Sequence, residues 1–139
     1  FENTALHSAA MSKNKESAVI ILKLLPESQR LQAMGVQDVC GRTMLHCCAD
    51  LESVLAVLDL LPELERSQIV CMKTLTGNTI LHDAVSTLRE DFDFVRAVLD
   101  SLPESQRLKT LKVHLSSDET TRSLREFLRV YASNCNLKL

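Results

Sequence analysis

A four-residue word recurs three times in this chain: Thr4-Ala5-Leu6-His7, Thr43-Met44-Leu45-His46 and Thr79-Ile80-Leu81-His82, with starts 39 and 36 residues apart. Small residues follow at a fixed offset: Ala9-Ala10, Cys48-Ala49 and Ala84-Val85. A second landmark trails each word: Leu25-Pro26-Glu27, Leu61-Pro62-Glu63 and Leu102-Pro103-Glu104. All three prolines occupy that landmark, and three of the four histidines occupy the first. Self-similarity at this period marks a chain built from copies of one supersecondary unit.

Counting back from each proline, positions −8, −5, −4 and −1 are Ala18, Ile21, Leu22 and Leu25, then Val54, Val57, Leu58 and Leu61, then Val95, Val98, Leu99 and Leu102. That i, i+3, i+4, i+7 spacing predicts one apolar stripe on a helix. The Thr-x-Leu-His word predicts a shorter helix before it, with small residues that let helices approach closely. Proline ends the longer helix and suits the first turn of another, where its missing N–H costs nothing. Short third helices are therefore expected over residues 26–34, 62–70 and 103–111. Their inward positions would be Leu31 and Met34, then Val70, then Leu108 and Leu111. The links 35–42 and 71–78 each carry a glycine two residues before the threonine, Gly41 and Gly77, for a tight turn. The expected units span about 2–41, 42–77 and 78–111, within one domain. None could bury its stripe alone, so stacking must do it.

The tail, 112–139, departs from this. Ser116-Ser117-Asp118-Glu119 reads as a capping box. A helix follows with Leu124, Phe127, Leu128 and Tyr131 on one face and Arg122, Arg125 and Arg129 elsewhere, suited to closing a stack. The word at the front opens almost at Phe1, so the chain reads as a fragment of a longer one. The fold class expected is all-α: an α-solenoid of three helical repeats, each with an extra short helix, plus a C-terminal capping helix.

Composition narrows the function classes. With 139 residues, 45% apolar and 24% charged, the chain can fill a core. Sixteen Lys+Arg against eighteen Asp+Glu leave net −2, without the basic excess of a nucleic-acid binder. The best apolar run, residues 18–25, is broken by Lys23 and ended by Pro26, too short to cross a bilayer. Five cysteines, two of them adjacent, do not suit a disulfide framework and point to a reducing, intracellular setting.

Gly-Arg-Thr-Met-Leu-His-Cys-Cys-Ala (41–49) and Gly-Asn-Thr-Ile-Leu-His-Asp-Ala-Val (77–85) resemble the ankyrin-repeat signature, and residues 3–10 resemble a third copy. The resemblance spans about residues 2–111. It implies that Thr4, Thr43 and Thr79 cap the first helices. It also implies that His7, His46 and His82 bond locally and to the next unit. The chain departs from that family in several ways. Ala5, Met44 and Ile80 stand where proline is usual, the glycine between the two main helices is missing, and the period is long. The Leu-Pro-Glu-Ser-Gln-Arg segments (25–30 and 102–107) are similar to divergent ankyrin-like repeats of effectors that bacteria inject into host cells. That resemblance implies secretion into the host cytoplasm.

The chemistry-bearing residues have plainer readings. Stacked equivalent histidines would lie ~8–10 Å apart, whereas zinc needs its ligands within ~2.0–2.3 Å. His7, His46 and His82 are thus not expected to share a metal. His46 and Cys47 are helix neighbours pointing ~100° apart, a poor nucleophile–base pair. Cys48 aligns with Ala9 and Ala84 as a packing residue. Glu90-Asp91-Phe92-Asp93 lacks the alternating ligands of a calcium loop and suits a helix start. No catalytic residue and no cofactor is expected. The function expected is a protein–protein interaction module, monomeric or weakly self-associating. It would bind a partner protein, a host one as the effector resemblance implies, on its concave face and links. The candidate contacts are Ser8, Cys47 and Asp83 on the first helices, with Val36, Gln37, Arg42, Met72, Lys73 and Asn78 on the links. The alternative is a targeting arm of a larger effector enzyme, with the catalysis elsewhere.

Overall fold

A computed structural model describes residues 4–12, 14, 16–48, 50–86 and 89–139. Phe1, Asn3 and Ala49, which belong to the repeated word or its surroundings, lie outside the described residues. Every regular element among the described residues is helical.

Three short helices start at the repeated word: α1 (Ala5–Met11), α4 (Met44–Cys47) and α7 (Ile80–Ala84). Their starts are reciprocal caps, with histidine where glutamate is usual. The main-chain N–H of Thr4, Thr43 and Thr79 donates to Nδ1 of the histidine three residues on, at 3.2, 3.1 and 3.0 Å. The second helices are α2 (Ser17–Lys23), α5 (Leu51–Leu58) and α8 (Phe92–Asp100). Asp50 and Asp91 cap α5 and α8 by accepting from Ser53 and Phe94 N–H. Of the acidic stretch 90–93, Asp91 thus serves the start of α8, and Asp93 within it pairs with Arg96 at 3.1 Å. All eight predicted stripe positions of α5 and α8 and the turns after them are at most 2% exposed, each such side chain contributing about 1.5–3 kcal/mol. In α2 and the turn after it, Ala18 and Leu22 are buried, while Ile21 and Leu25 are half-buried.

After each proline the chain turns into α3 (Glu27–Met34), a 3-10 turn (Glu63–Glu65) leading into α6 (Arg66–Val70), and α9 (Glu104–Leu115). An arginine four residues past each proline folds back over the helix just ended. Arg30 Nε donates to Leu22 O at 3.0 Å, Arg66 Nε to Leu58 O and Leu61 O at 3.0 and 3.2 Å, and Arg107 Nε to Leu99 O and Leu102 O at 3.1 and 2.8 Å. These carbonyls are the orphan acceptors of a helix C-terminus, where a cation is also favoured by the dipole. The guanidinium does what a C-terminal glycine does in other helices. Two of the three reach onward as well: Arg30 to Leu60 O at 3.4 Å and Arg66 to Ser101 O at 3.0 Å.

Equivalent helices are neighbours: α1 lies against α4 and α4 against α7, α2 against α5 and α5 against α8, and α6 against α9. The tail corrects the sequence reading in two places. Helix α9 runs to Leu115, past the expected end at 111, because His114 is a buried member of it. Ser116 ends α9 rather than starting the next helix. The cap of α10 (Arg122–Asn134) is Thr121, which accepts from Leu124 N–H at 3.2 Å. Leu124, Leu128 and Tyr131 are buried, Phe127 stacks on Phe92 at 5.0 Å, and Tyr131 OH donates to Asp100 at 2.6 Å. This covers α8 and α9. Arg125 leaves the solvated set expected for it: it donates to the carbonyls of Leu115, Ser117 and Thr120 at the end of α9.

Candidate partner-binding surface

The links fold as tight turns held at both ends. Asp38 N–H donates to Arg42 O and Gly41 N–H to Asp38 O, each at 2.9 Å. Thr74 N–H to Asn78 O and Gly77 N–H to Thr74 O repeat this at 2.9 Å, 36 positions later. Gly41 and Gly77 have φ of +79° and +85°, a conformation that favours glycine. The first turn is held further by the Asp38 carboxylate, which accepts from the N–H groups of Cys40 and Arg42 and from the Arg42 guanidinium, at 2.8–2.9 Å. Burial pushes this carboxyl's pKa up, but the Arg42 and Cys40 donors outweigh it and hold it below the usual value. In the second turn the Thr74 hydroxyl takes that place, accepting from Asn78 N–H at 3.3 Å.

The turns are also tied to each other. Leu75 N–H donates to Cys40 O at 3.0 Å, and Gln37 Nε2 donates to Gly41 O and Lys73 O at 2.8 and 2.9 Å. A Cβ on Gly41 would lie 2.7 Å from Leu75 N. Above this backbone, Val39 and Leu75 are 71% and 79% exposed. They flank a shallow cavity of about 240 Å³ lined by Gln37, Asp38, Val39, Gly41 and Leu75. The chain makes a third turn without glycine, where Thr120 N–H donates to Ser117 O at 3.3 Å, its exposed tip is Asp118, and Glu119 lies over Gly77.

The histidines anchor each first helix to the following turn. Nε2 of His7 donates to Arg42 O at 2.8 Å, and Nε2 of His46 donates to Asn78 O at 3.1 Å. Nε2 of His82 meets the Thr120 hydroxyl at 2.9 Å. Burial lowers the pKa of His46, although Asp83 and Asp38 pull the other way.

The nine residues singled out in the sequence divide by duty. Ser8 and Lys73 are exposed, Val36 is 41% exposed, and Met72 is half-buried. Gln37, Arg42 and Asn78 spend main-chain or side-chain groups on holding the turns. Asp83, Cys47 and Arg42 form one electrostatic neighbourhood beside His46 and Arg89. Burial raises Asp83's pKa against the pull of His46, Arg89 and Arg42. It raises Cys47's too, with Arg42 opposing, and pushes Cys48 up to about 12. Neither thiol is inclined to ionise, which disfavours nucleophilic chemistry. The most exposed apolar residues of the turns, Val39 and Leu75, were not among the nine, although each stands two residues before a turn glycine. Among the described residues no group of three or more His, Cys, Asp or Glu could hold a metal ion, and no helix is long and apolar enough to cross a membrane. No protein-family model matches the sequence, nor does any curated protein or solved structure.

Proposed function

We propose that the chain is a stacked array of three ankyrin-like helical units closed by α10, and that it binds a partner protein on the turn tips and the outward faces of α1, α4 and α7. The observation that carries this reading is the pair Val39 and Leu75. Two large apolar side chains are held in water on a backbone fixed by hydrogen bonds between turns. The core does not need them there, and rigid anchors lose little entropy on binding. Arg42, Cys47, Asp83 and Lys73 provide the polar surroundings that such an interface carries. The similarity of residues 25–30 and 102–107 to effector repeats makes a host protein the partner class we favour, and the half-buried, un-ionised thiols favour binding over catalysis.

Replacing Val39 and Leu75 with aspartate should leave the melting temperature within about 2 °C of wild type, as expected of exposed positions. It should weaken partner capture at least about tenfold, the scale of a lost hot spot. Changing Arg42, Cys47 and Lys73 together should weaken capture further. If both variants fold and retain every partner, the surface is misplaced. Cys47 should alkylate more slowly than free cysteine at neutral pH, and labelling faster than free cysteine would favour a thiol enzyme instead.

A further inference from the structure

The last turn, between α9 and α10, is held by two buried histidines, His82 of α7 and His114 of α9, that the binding surface does not use. The rings of His82 and His114 stand 5.0 Å apart, 7% and 0% exposed. Their hydrogen bonds fix where every proton lies. His114 Nδ1–H donates to Thr110 O at 2.7 Å, so its Nε2 accepts from the Thr79 hydroxyl, also at 2.7 Å. His82 Nδ1 accepts from Thr79 N–H, so its Nε2–H donates to the Thr120 hydroxyl, which in turn donates to His114 O. This closed circuit ties α7, α9 and the turn before α10 together, and it is complete only with both rings neutral.

We infer that the His82–His114 pair is an acid-sensitive latch, whose protonation opens the 116–121 turn and frees α10 from the face of α8 and α9. A proton on His82 Nδ1 would confront the Thr79 N–H, donor against donor. A proton on His114 Nε2 would turn the Thr79 hydroxyl toward His82 Nδ1, so with both rings charged that hydroxyl proton has no acceptor. The surroundings offer little relief. Lys73 on the link and the Arg125 guanidinium on the 115–120 carbonyls are cations. Asp118 and Glu119 on the turn are exposed to water, Glu119 lining one open cleft with Asp83 and His82. Asp83, next to His82 in sequence, acts on His46 and Arg89. His46 differs in having Asp38 and Asp83 as counter-charges. Opening would uncover the face that Phe127 and Tyr131 close, beginning with Phe92 and Asp100.

The sign follows from burial. Desolvation first, then His114 and Lys73, lower His82 to about 4, and desolvation likewise lowers His114. Both groups bind protons more weakly closed than open. The latch is therefore fully closed above the free-histidine value of about 6.5 and loosens as pH falls from there toward 4. His82 alone should raise the opening equilibrium roughly 20-fold between about pH 7 and about pH 5, with His114 adding to that.

Hydrogen exchange of the full chain at those two pH values, corrected for intrinsic exchange chemistry, reads the effect directly. Residues 117–134 should exchange at least about 20-fold faster at the lower pH, while residues 51–70 change far less. His82→Gln should remove most of the acid response of 117–134. An equal response in the two segments, or none in 117–134, overturns the latch, and this wild-type comparison stands even if His82→Gln does not fold.

Discussion

Replacing Arg66 with methionine should destabilise the chain by about 2–4 kcal/mol, the scale of losing several charge-assisted hydrogen bonds to partly buried carbonyls. Arg66 is the arginine with the most to lose. It donates to Leu58 O and Leu61 O of its own unit and to Ser101 O of the next, and its side chain is 15% exposed. Methionine keeps the stem's packing and deletes only the donors. The 3.9 Å approach to the exposed Asp59 adds little. Arg107→Met should cost less, because its three bonds stay within its own unit. Lysine at position 66 should not rescue, since one ammonium cannot reach three separated carbonyls as a planar fork does. Thermal melts of the three variants give the ranking. Equal losses at 66 and 107 would mean that the forward bond to Ser101 carries no stability.

Gly41→Ala should cost about 3 kcal/mol, and Gly77→Ala at least about 1 kcal/mol less. Both glycines sit at positive φ, where a side chain costs about 1–2 kcal/mol. They differ in what a Cβ would meet. At Gly41 it meets main chain, Leu75 N at 2.7 Å and Thr74 C at 3.1 Å, so two tied turns must part. At Gly77 it meets the Glu119 side chain at 3.0 Å, which can swing away. Chemical denaturation measures both. The Gly41 variant should also lose protection at the Leu75 amide, whose acceptor is Cys40 O. If Gly77→Ala proves the more damaging, the turns do not bear on each other as described.

The helices were legible because their cause is periodic. An i, i+3, i+4, i+7 stripe written three times leaves no freedom about which side is apolar, and Val54, Val57 and Leu58 and their counterparts Val95, Val98 and Leu99 lie where it puts them. The turn glycines were legible because a scarce residue type at a fixed offset has few other uses, whereas the threonine–histidine caps were what the ankyrin resemblance implied. Arg30 and Arg107 were seen only as the ends of the two Leu-Pro-Glu-Ser-Gln-Arg segments, and Arg66 was not singled out. Their partners are carbonyls, which have no letter in a sequence. The tail misled because two hydroxyl runs, Ser116-Ser117 and Thr120-Thr121, compete for one cap. Burial of His114 decides between them by carrying α9 onward. Ser117 O accepts from Thr120 N–H as Asp38 O and Thr74 O accept from Gly41 and Gly77, but this turn is one residue shorter, so Thr121 caps four residues after Ser117 where Thr43 and Thr79 cap five residues after Asp38 and Thr74. Arg125 then caps α9 as Arg66 caps α5. Of the candidate surface, the links were found but their tips were not. Arg42 and Asn78 look variable from unit to unit, yet their carbonyls serve His7 and His46, while the free side chains are Val39 and Leu75.

A unit's apolar stripe must stay wet unless its neighbours are present. Far-UV circular dichroism of a peptide covering residues 42–77, the middle unit with both neighbours removed, tests this most directly. Little helix and no cooperative thermal transition is the result expected. Native-like helix content lost in a sharp melt would show that one unit folds by itself, and would contradict it.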